Sequence, residues 1–312
     1  MARIGTTESR PHRNQGYRYR ETISQRGAGQ PLLTYLAQTY PHSSPAEWAA
    51  HIANGLVLLD GLPVTGDPLL QCGMELVWQR PPWTEPAAPR WFELLYEDDA
   101  LLAVGKPAGL PTMAGGNFLE ATLVHLVQAY APGAAPLHRL GRHTSGLVLC
   151  AKRPDAARTV LRQWSARSVG KRYRALVSGA PPWHELTITT PIGPVPHPLL
   201  GMLHAATPDG KPSLSRVTVL EHRTDGCLCD VGISTGRPHQ IRIHLAAAGF
   251  PLVGDPLYRP GGLPAADSAA LPGDPGYLLH SAALQFRHPD SGQVLLLECP
   301  PPPRLRTQSE GE

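Results

Sequence analysis

Residues 235–244 read TGRPHQIRIH. Proline fits the first turn of a helix, where its missing N–H is not needed, and glycine is a common stop. Pro238 and Gly249 therefore bracket an expected helix over residues 238–248. On it Ile241, Leu245 and Ala248 share an apolar face, while His239 and Arg242, three apart, share the opposite one. A charge on a helix anchored from behind is a preorganised charge. Arg242 is thus a candidate functional cation, and Thr235, Gly236 and Arg237 form the loop that leads to it.

Two further polar clusters precede it. Residues 138–146 read HRLGRHTSG, with two arginines, two histidines and a Thr-Ser pair but no carboxylate. They run into Leu147-Val148-Leu149-Cys150-Ala151, which reads as a buried strand. Lys171-Arg172-Tyr173-Arg174 opens a strand expected over 172–178. Upstream, FELLYEDDALLAVGKPAG reads as two strands around Glu97-Asp98-Asp99. Further strands are expected at 214–220 and 226–233, helices at 119–130 and 154–168, and a long flexible loop at 260–276. Strands outnumber helices without strict alternation, which argues for an α+β fold with a mixed, largely antiparallel sheet.

The chain has 312 residues, 42% of them hydrophobic, enough for one large and one small domain and too apolar for a disordered or fibrous protein. No apolar run approaches the ~18 residues of a membrane helix. The first twenty residues lack the apolar core of a secretory signal, so a cytoplasmic protein without membrane association is expected. Net charge is only +3, but residues 1–26 hold six arginines against two glutamates, a local +4. Tyr17-Arg18-Tyr19-Arg20 within it suits phosphate contact and base stacking, and suits a solvated tail as well.

The expected organisation is a flexible basic arm (1–29), a small compact unit (30–80), a proline-rich linker (81–90), a large domain (91–303) and a disordered tail (304–312). In the small unit Leu32, Leu33 and Leu36 have helical spacing, and a second helix runs from Pro45 to Asn54 with Ser44 as its N-cap. Gly55 to Gly61 reads as a strand entering a turn. The five cysteines form no CxxC pair and read as free thiols in a reducing compartment rather than as disulfides or metal ligands.

Taken in order, the three polar clusters resemble the motifs of the RluA family of RNA pseudouridine synthases. The family's first motif runs H-R-L-D-x-x-T-S-G before an apolar strand, its second is K-x-Y-x-A, matched by Lys171 to Ala175, and its third is matched throughout by residues 235–244. Lys106-Pro107-Ala108-Gly109, Gly254-Asp255 with Tyr258, Leu279-His280 and His288-Pro289 resemble its flanking segments. Residues 30–80 resemble an S4 RNA-binding module, and the whole resemblance spans about 30–299. It implies the pseudouridine synthase fold, an RNA partner (ribosomal or transfer RNA), no cofactor and no metal, in a protein expected to be monomeric.

The family breaks the N1–C1′ bond of a flipped-out uridine, turns the uracil and rejoins it through C5. The resemblance makes Tyr173 the tyrosine that packs on uracil and assists proton removal, and Arg242 the arginine that pairs with the catalytic aspartate. It makes His138, Arg139, Arg142, His143, Thr144, Lys171, Arg237, His239 and Gln240 candidates for RNA contact; His138, Arg139, Arg237, His239 and Gln240 suit a bracing role equally well. The departure falls at the centre. The family aspartate corresponds to Gly141, with the register pinned by Arg139-Leu140 before it and Thr144-Ser145-Gly146 after it. The nearest carboxylate along the chain is Asp155, fourteen residues on, and Asp255 reads as a turn residue. Arg242 is therefore expected to lack its counter-charge, in a site that is wet or waits for an anion. Two functions stand side by side: an isomerase working without that aspartate, and an RNA-binding protein or chaperone that has lost the chemistry. A metal-dependent hydrolase built on His138, His143, His239 and His244 is a third, poorly supported reading, since no carboxylate accompanies them.

Overall fold

Leu101 to Val104 and Leu147 to Ala151 are apolar at every position, as strands covered on both faces must be. In the computed structural model, which describes residues 2–7 and 9–311, both runs lie inside one large sheet. The first half of the chain gives β1 (Ala2–Thr6), β2 (His12–Arg13), β3 (Tyr17–Thr22), α1 (Leu32–Thr39), α2 (Pro45–Ala53), β4 (Val57–Leu59), β5 (Leu62–Pro63), β6 (Glu75–Arg80), β7 (Thr84–Glu85), β8 (Arg90–Glu97) and β9 (Leu101–Lys106). There follow α3 (Leu123–Tyr130), β10 (Ala135–Pro136), β11 (Ser145–Ala151), α4 (Pro154–Ser165), β12 (Gly170–Val177), β13 (Glu185–Ile188), β14 (Ile192–His197) and β15 (Gly201–Ala206). The chain closes with β16 (Ser215–Arg223), β17 (Gly226–Ile233), α5 (Gln240–Ala247), β18 (Leu279–Arg287), β19 (Val294–Glu298), a 3-10 turn at Pro303–Leu305 and α6 (Gln308–Gly311).

The chain divides into two compact units. The small one is Pro11–Glu85, and the large one joins the described residues up to Arg10 to everything from Pro86 onward. In the large unit the sheet runs β1-β8-β9-β11-β18-β12-β17-β16-β13, with β10 beside β11 and β19 beside β18. Among the described pairings one is parallel, β11 with β18. Alternation divides the side chains as the pleat requires. Leu102, Val104, Val148 and Cys150 join one core with α3 and α5; Leu101, Ala103, Leu147 and Leu149 join the other with α4. The fold is thus the expected α+β architecture with a mixed, largely antiparallel sheet flanked by helices.

In the small unit α2 begins where the capping residues place it. The Ser44 hydroxyl accepts from Glu47 N, the Glu47 carboxylate accepts from Ser44 N, and Pro45 opens the first turn. Asp60 and Gly61, both with positive φ, turn β4 into β5.

Three boundaries differ from expectation. Within the expected arm 1–29, three described segments are paired strand rather than free chain: β1 pairs with β8, β2 with β7 and β3 with β6. The Tyr-Arg alternation of 17–20 is the period of a strand, and Tyr19 stacks on Trp78 at 5.3 Å. The linker 81–90 shrinks, because Thr84 and Glu85 pair with the small unit and Arg90 already begins β8. The tail 304–312 packs back as far as it is described. Leu305 is buried against Leu176 and Leu228, Arg304 pairs with Asp225 at 2.7 Å, and Glu310 with Arg174 at 2.8 Å. Composition hid these contacts because every partner is distant in sequence.

Two glycine positions bring the site together. Gly146 has φ +108, and a Cβ there would stand 2.2 Å from Ser281 O, so only glycine lets β11 lie this close to β18. Gly254 and Gly276 meet backbone to backbone, and a Cβ on either would reach the other's carbonyl oxygen at 2.4 and 2.3 Å. That contact brings Asp255 and Tyr277, the residues that follow them, to the same place.

Candidate active site

The third motif folds as a short loop into α5. The helix begins at Gln240 rather than 238, because His239 adopts left-handed φ 54 while its Nδ1 meets the Tyr258 hydroxyl at 2.8 Å. Gln240 spends its amide inside the protein: Oε1 accepts from Thr235 Oγ1 (2.7 Å) and Arg237 N (3.1 Å), and Nε2 donates to Leu214 O and Ser215 Oγ. It is a brace. Arg237 is half-buried and donates to Pro212 O at 3.2 Å. His244, fully buried, bridges Ser215 Oγ and Thr190 O.

Arg242 is not waiting for an anion. Its Nε and Nη2 donate to the two oxygens of Asp255, each at 2.7 Å, and Nη1 donates to Pro272 O at 2.6 Å. The two side chains are 2% and 1% exposed. A bidentate pair of this kind satisfies both charges at once, which is what a dry site demands. The expectation of an unpaired arginine in a wet site is therefore corrected. Asp255 is a turn residue, accepting from Leu257 N and Tyr258 N, and it is also the counter-charge. The guanidinium is faced by two aromatic rings, Tyr277 at 4.2 Å and Tyr258 at 5.0 Å. Burial pushes His239 down to about 4, the Arg242 charge adding to the effect, so this imidazole is neutral at pH 7.

The second motif lies across the sheet. Tyr173 pairs with Ser281 in β18 and is buried in the same hydrophobic cluster as Tyr277, Leu140 and Ile241. Burial pushes its hydroxyl up to about 12, so it enters the site protonated. Lys171 donates to Thr235 O at 3.3 Å, which ties the second motif to the third. Arg172 is exposed and held bidentately by Asp230.

The first motif is a rigid loop whose side chains point several ways. Thr112 Oγ1 donates to Leu140 O at 2.9 Å, and Thr144 N donates to Gly141 O at 3.1 Å. Lys106 Nζ, fully buried, donates to Pro107 O, Leu110 O and Arg142 O at 2.7–3.0 Å. Burial lowers Lys106 to about 7, while three carbonyls around one nitrogen favour the ammonium form. His138 braces β11 by accepting from Leu149 N at 3.0 Å and stacks on Trp164, so its side chain serves the opposite core. Burial lowers it to about 4, as it does His143, whose Nε2 accepts from Arg142 Nε at 3.1 Å. Arg142 also lies 5.5 Å over the Phe118 ring and 3.9 Å from Asp274. Arg139 is exposed. Each of the four histidines 138, 143, 239 and 244 has a different partner, and no group of three His, Cys, Asp or Glu among the described residues could hold a metal.

The space beside Gly141 is occupied. A Cβ there would stand 3.0 Å from the Tyr277 hydroxyl and 3.4 Å from Thr144 Oγ1, and the two hydroxyls are themselves 3.4 Å apart. The cause is the one parallel pairing. Ser145 lies beside His280, so the residues before each strand, Gly141 and Tyr277, also run together. Tyr277 thus links the glycine of the first motif to the arginine of the third. Spacing gave no sign of it, although Leu279-His280 just beyond belongs to a motif visible in the sequence.

Comparison with known proteins agrees with this geometry. The family model described as RNA pseudouridylate synthase matches residues 100–247. An uncharacterised RNA pseudouridine synthase of Synechocystis is 39% identical over 88% of this chain and 96% of its own. The ribosomal large subunit pseudouridine synthase D of Pseudomonas aeruginosa is 34% identical over 88% of this chain and 89% of its own. The solved structure of human RNA pseudouridylate synthase domain containing 1 superposes with a TM-score of 0.54 at 26% identity, covering 69% of this chain and 86% of that one. With its motifs, sheet and buried arginine in register, the chain belongs to the RNA pseudouridine synthases of the RluA family.

Proposed function

We propose that this protein isomerises uridine to pseudouridine in a structured RNA, ribosomal or transfer, and does so without the family aspartate. One observation carries the reading: Arg242 is locked by Asp255 between Tyr258 and Tyr277, with Tyr173 in the same cluster. A site that had merely lost its acid would hold a stranded buried cation, at a cost of several kcal/mol. This one is balanced. The target nucleotide flips out to lie against Tyr173, and Arg139, Arg142 and Arg237 receive phosphates. His138 and Gln240 act as braces, since their ring nitrogen and amide are engaged within the protein. The small unit serves as an S4-like RNA-binding module, with Tyr17 and Tyr19 exposed for stacking. Five free cysteines support a reducing, cytoplasmic setting.

The test is a base-resolved pseudouridine map of ribosomal and transfer RNA from cells with and without the gene. The expected result is one or a few uridines modified only when the gene is present. An unchanged map, together with RNA binding by the purified protein, would favour the silent RNA-binding protein.

A further inference from the structure

The geometry points to the Tyr277 hydroxyl as the group that does the work of the absent carboxylate, an inference that rests on the isomerase reading above. Three observations converge on it. The hydroxyl fills the position a side chain at residue 141 would enter, 3.0 Å from a Cβ built there. Its ring lies against Arg242 at 4.2 Å, the arginine expected to face the carboxylate. Its polar neighbour is Thr144 of the same motif, at a long 3.4 Å, which leaves the oxygen weakly engaged although the residue is only 4% exposed. Gly141, by contrast, is exposed, so the hydroxyl stands just behind a surface that any larger residue would cover. Glycine at 141 and tyrosine at 277 are thus two parts of one arrangement.

A tyrosine oxygen is a known alternative to a carboxylate at a sugar C1′-type centre. In the first half-reaction the N1–C1′ bond breaks with its electron pair on N1. The Tyr277 oxygen bonds C1′, and its proton passes to the uracil anion, giving a neutral uracil and an aryl glycoside. The uracil turns within the closed site. In the second half C5 bonds C1′, the C1′–O bond breaks with its pair returning to the tyrosine, and the proton leaving C5 restores the hydroxyl. The sum is an isomerisation without a co-reactant. Arg242 and Asp255 fix the ring, because the guanidinium it lies against cannot turn without breaking two hydrogen bonds.

The probe is bulk RNA carrying 5-tritiated uridine, prepared from cells lacking the gene, with tritium release measured in single turnover. Tyr277→Phe keeps the ring on Arg242 and is expected to lose at least about 100-fold in rate, the low end for losing a positioned acid–base group. Gly141→Asp with Tyr277→Phe removes the hydroxyl that crowds residue 141 and is expected to recover at least about tenfold over Tyr277→Phe. Denatured mass spectrometry of wild type with 5-fluorouridine RNA is expected to show an adduct that Tyr277→Phe lacks. If wild type releases tritium and Tyr277→Phe, folded by circular dichroism, releases it equally fast, the inference fails while the isomerase reading stands. A slow Phe variant that Gly141→Asp does not rescue also overturns it, since the hydroxyl would then serve only to position. If wild type itself releases nothing, the isomerase reading fails first.

Discussion

The two sides of the site are built on opposite principles. The arginine side concentrates charge and pairs it completely: Arg242 and Asp255 meet twice at 2.7 Å in a dry setting. The glycine side holds its backbone through Thr112 and Lys106 but offers no acid of its own. The difference separates two jobs that one aspartate could do together. Balancing the buried arginine is done by Asp255, and the reactive oxygen is left to come from elsewhere. Glycine at 141 is therefore tolerable in a way that an unpaired Arg242 would not be.

The sharpest way to break this division is Asp255→Asn. It strands the guanidinium and is expected to cost ~3–5 kcal/mol, or a fall in Tm of roughly 10 °C; a Tm within 2 or so degrees of wild type would show that the pair does not hold this side together. Next comes Lys106→Met on the glycine side. Three carbonyls lose their shared donor, at an expected ~1–3 kcal/mol, and amide exchange around residues 107–112 and 140–144 should quicken; unchanged protection would mean that the loop is held without it.

Acid probes both sides together. His138, His239 and His280 are lowered by burial to about 4 from the ordinary 6.5. Between those values the unfolded chain takes up protons that the folded chain refuses. The stability is therefore full above about pH 6.5 and is lost as pH falls toward 4. Tm measured from pH 7.5 to 4.5 should be flat and then drop; a flat curve throughout would contradict the burial. On the small unit, Tyr19→Ala should weaken RNA binding about five- to tenfold, the worth of one stacked base, and filter binding would reveal no change if the aromatic row is structural only. The smallest effect is Gly141→Ala. Its backbone needs no left-handed φ and the new methyl asks the Tyr277 hydroxyl to yield a few tenths of an ångström, so about 1 kcal/mol or less is expected by urea unfolding.

Much of this is legible in the sequence. The Ser44-Pro45 start of α2 is local chemistry, and so is the Gly249 stop of α5. The three motifs carried the family and the site, including the fact that residue 141 lacks its acid. What stayed hidden depends on pairing across the chain. β1 read as a loose arm because its partner lies at residues 90–94. Asp255 read as a turn because its second role depends on the helix that faces it. Tyr277 stood outside every motif, and only the parallel pairing of Ser145 with His280 brings it to Gly141. Local signals fix caps and periods, whereas a counter-charge or a substitute hydroxyl is fixed by register between distant strands.

The central claim is that a balanced site without the aspartate still turns over. Tritium release from 5-tritiated-uridine RNA by the purified wild-type protein tests it most directly, because each isomerisation frees the hydrogen at C5. The account predicts release that rises with time to a plateau set by the number of target uridines. Tight, salt-sensitive RNA binding with no release above a protein-free control would contradict it.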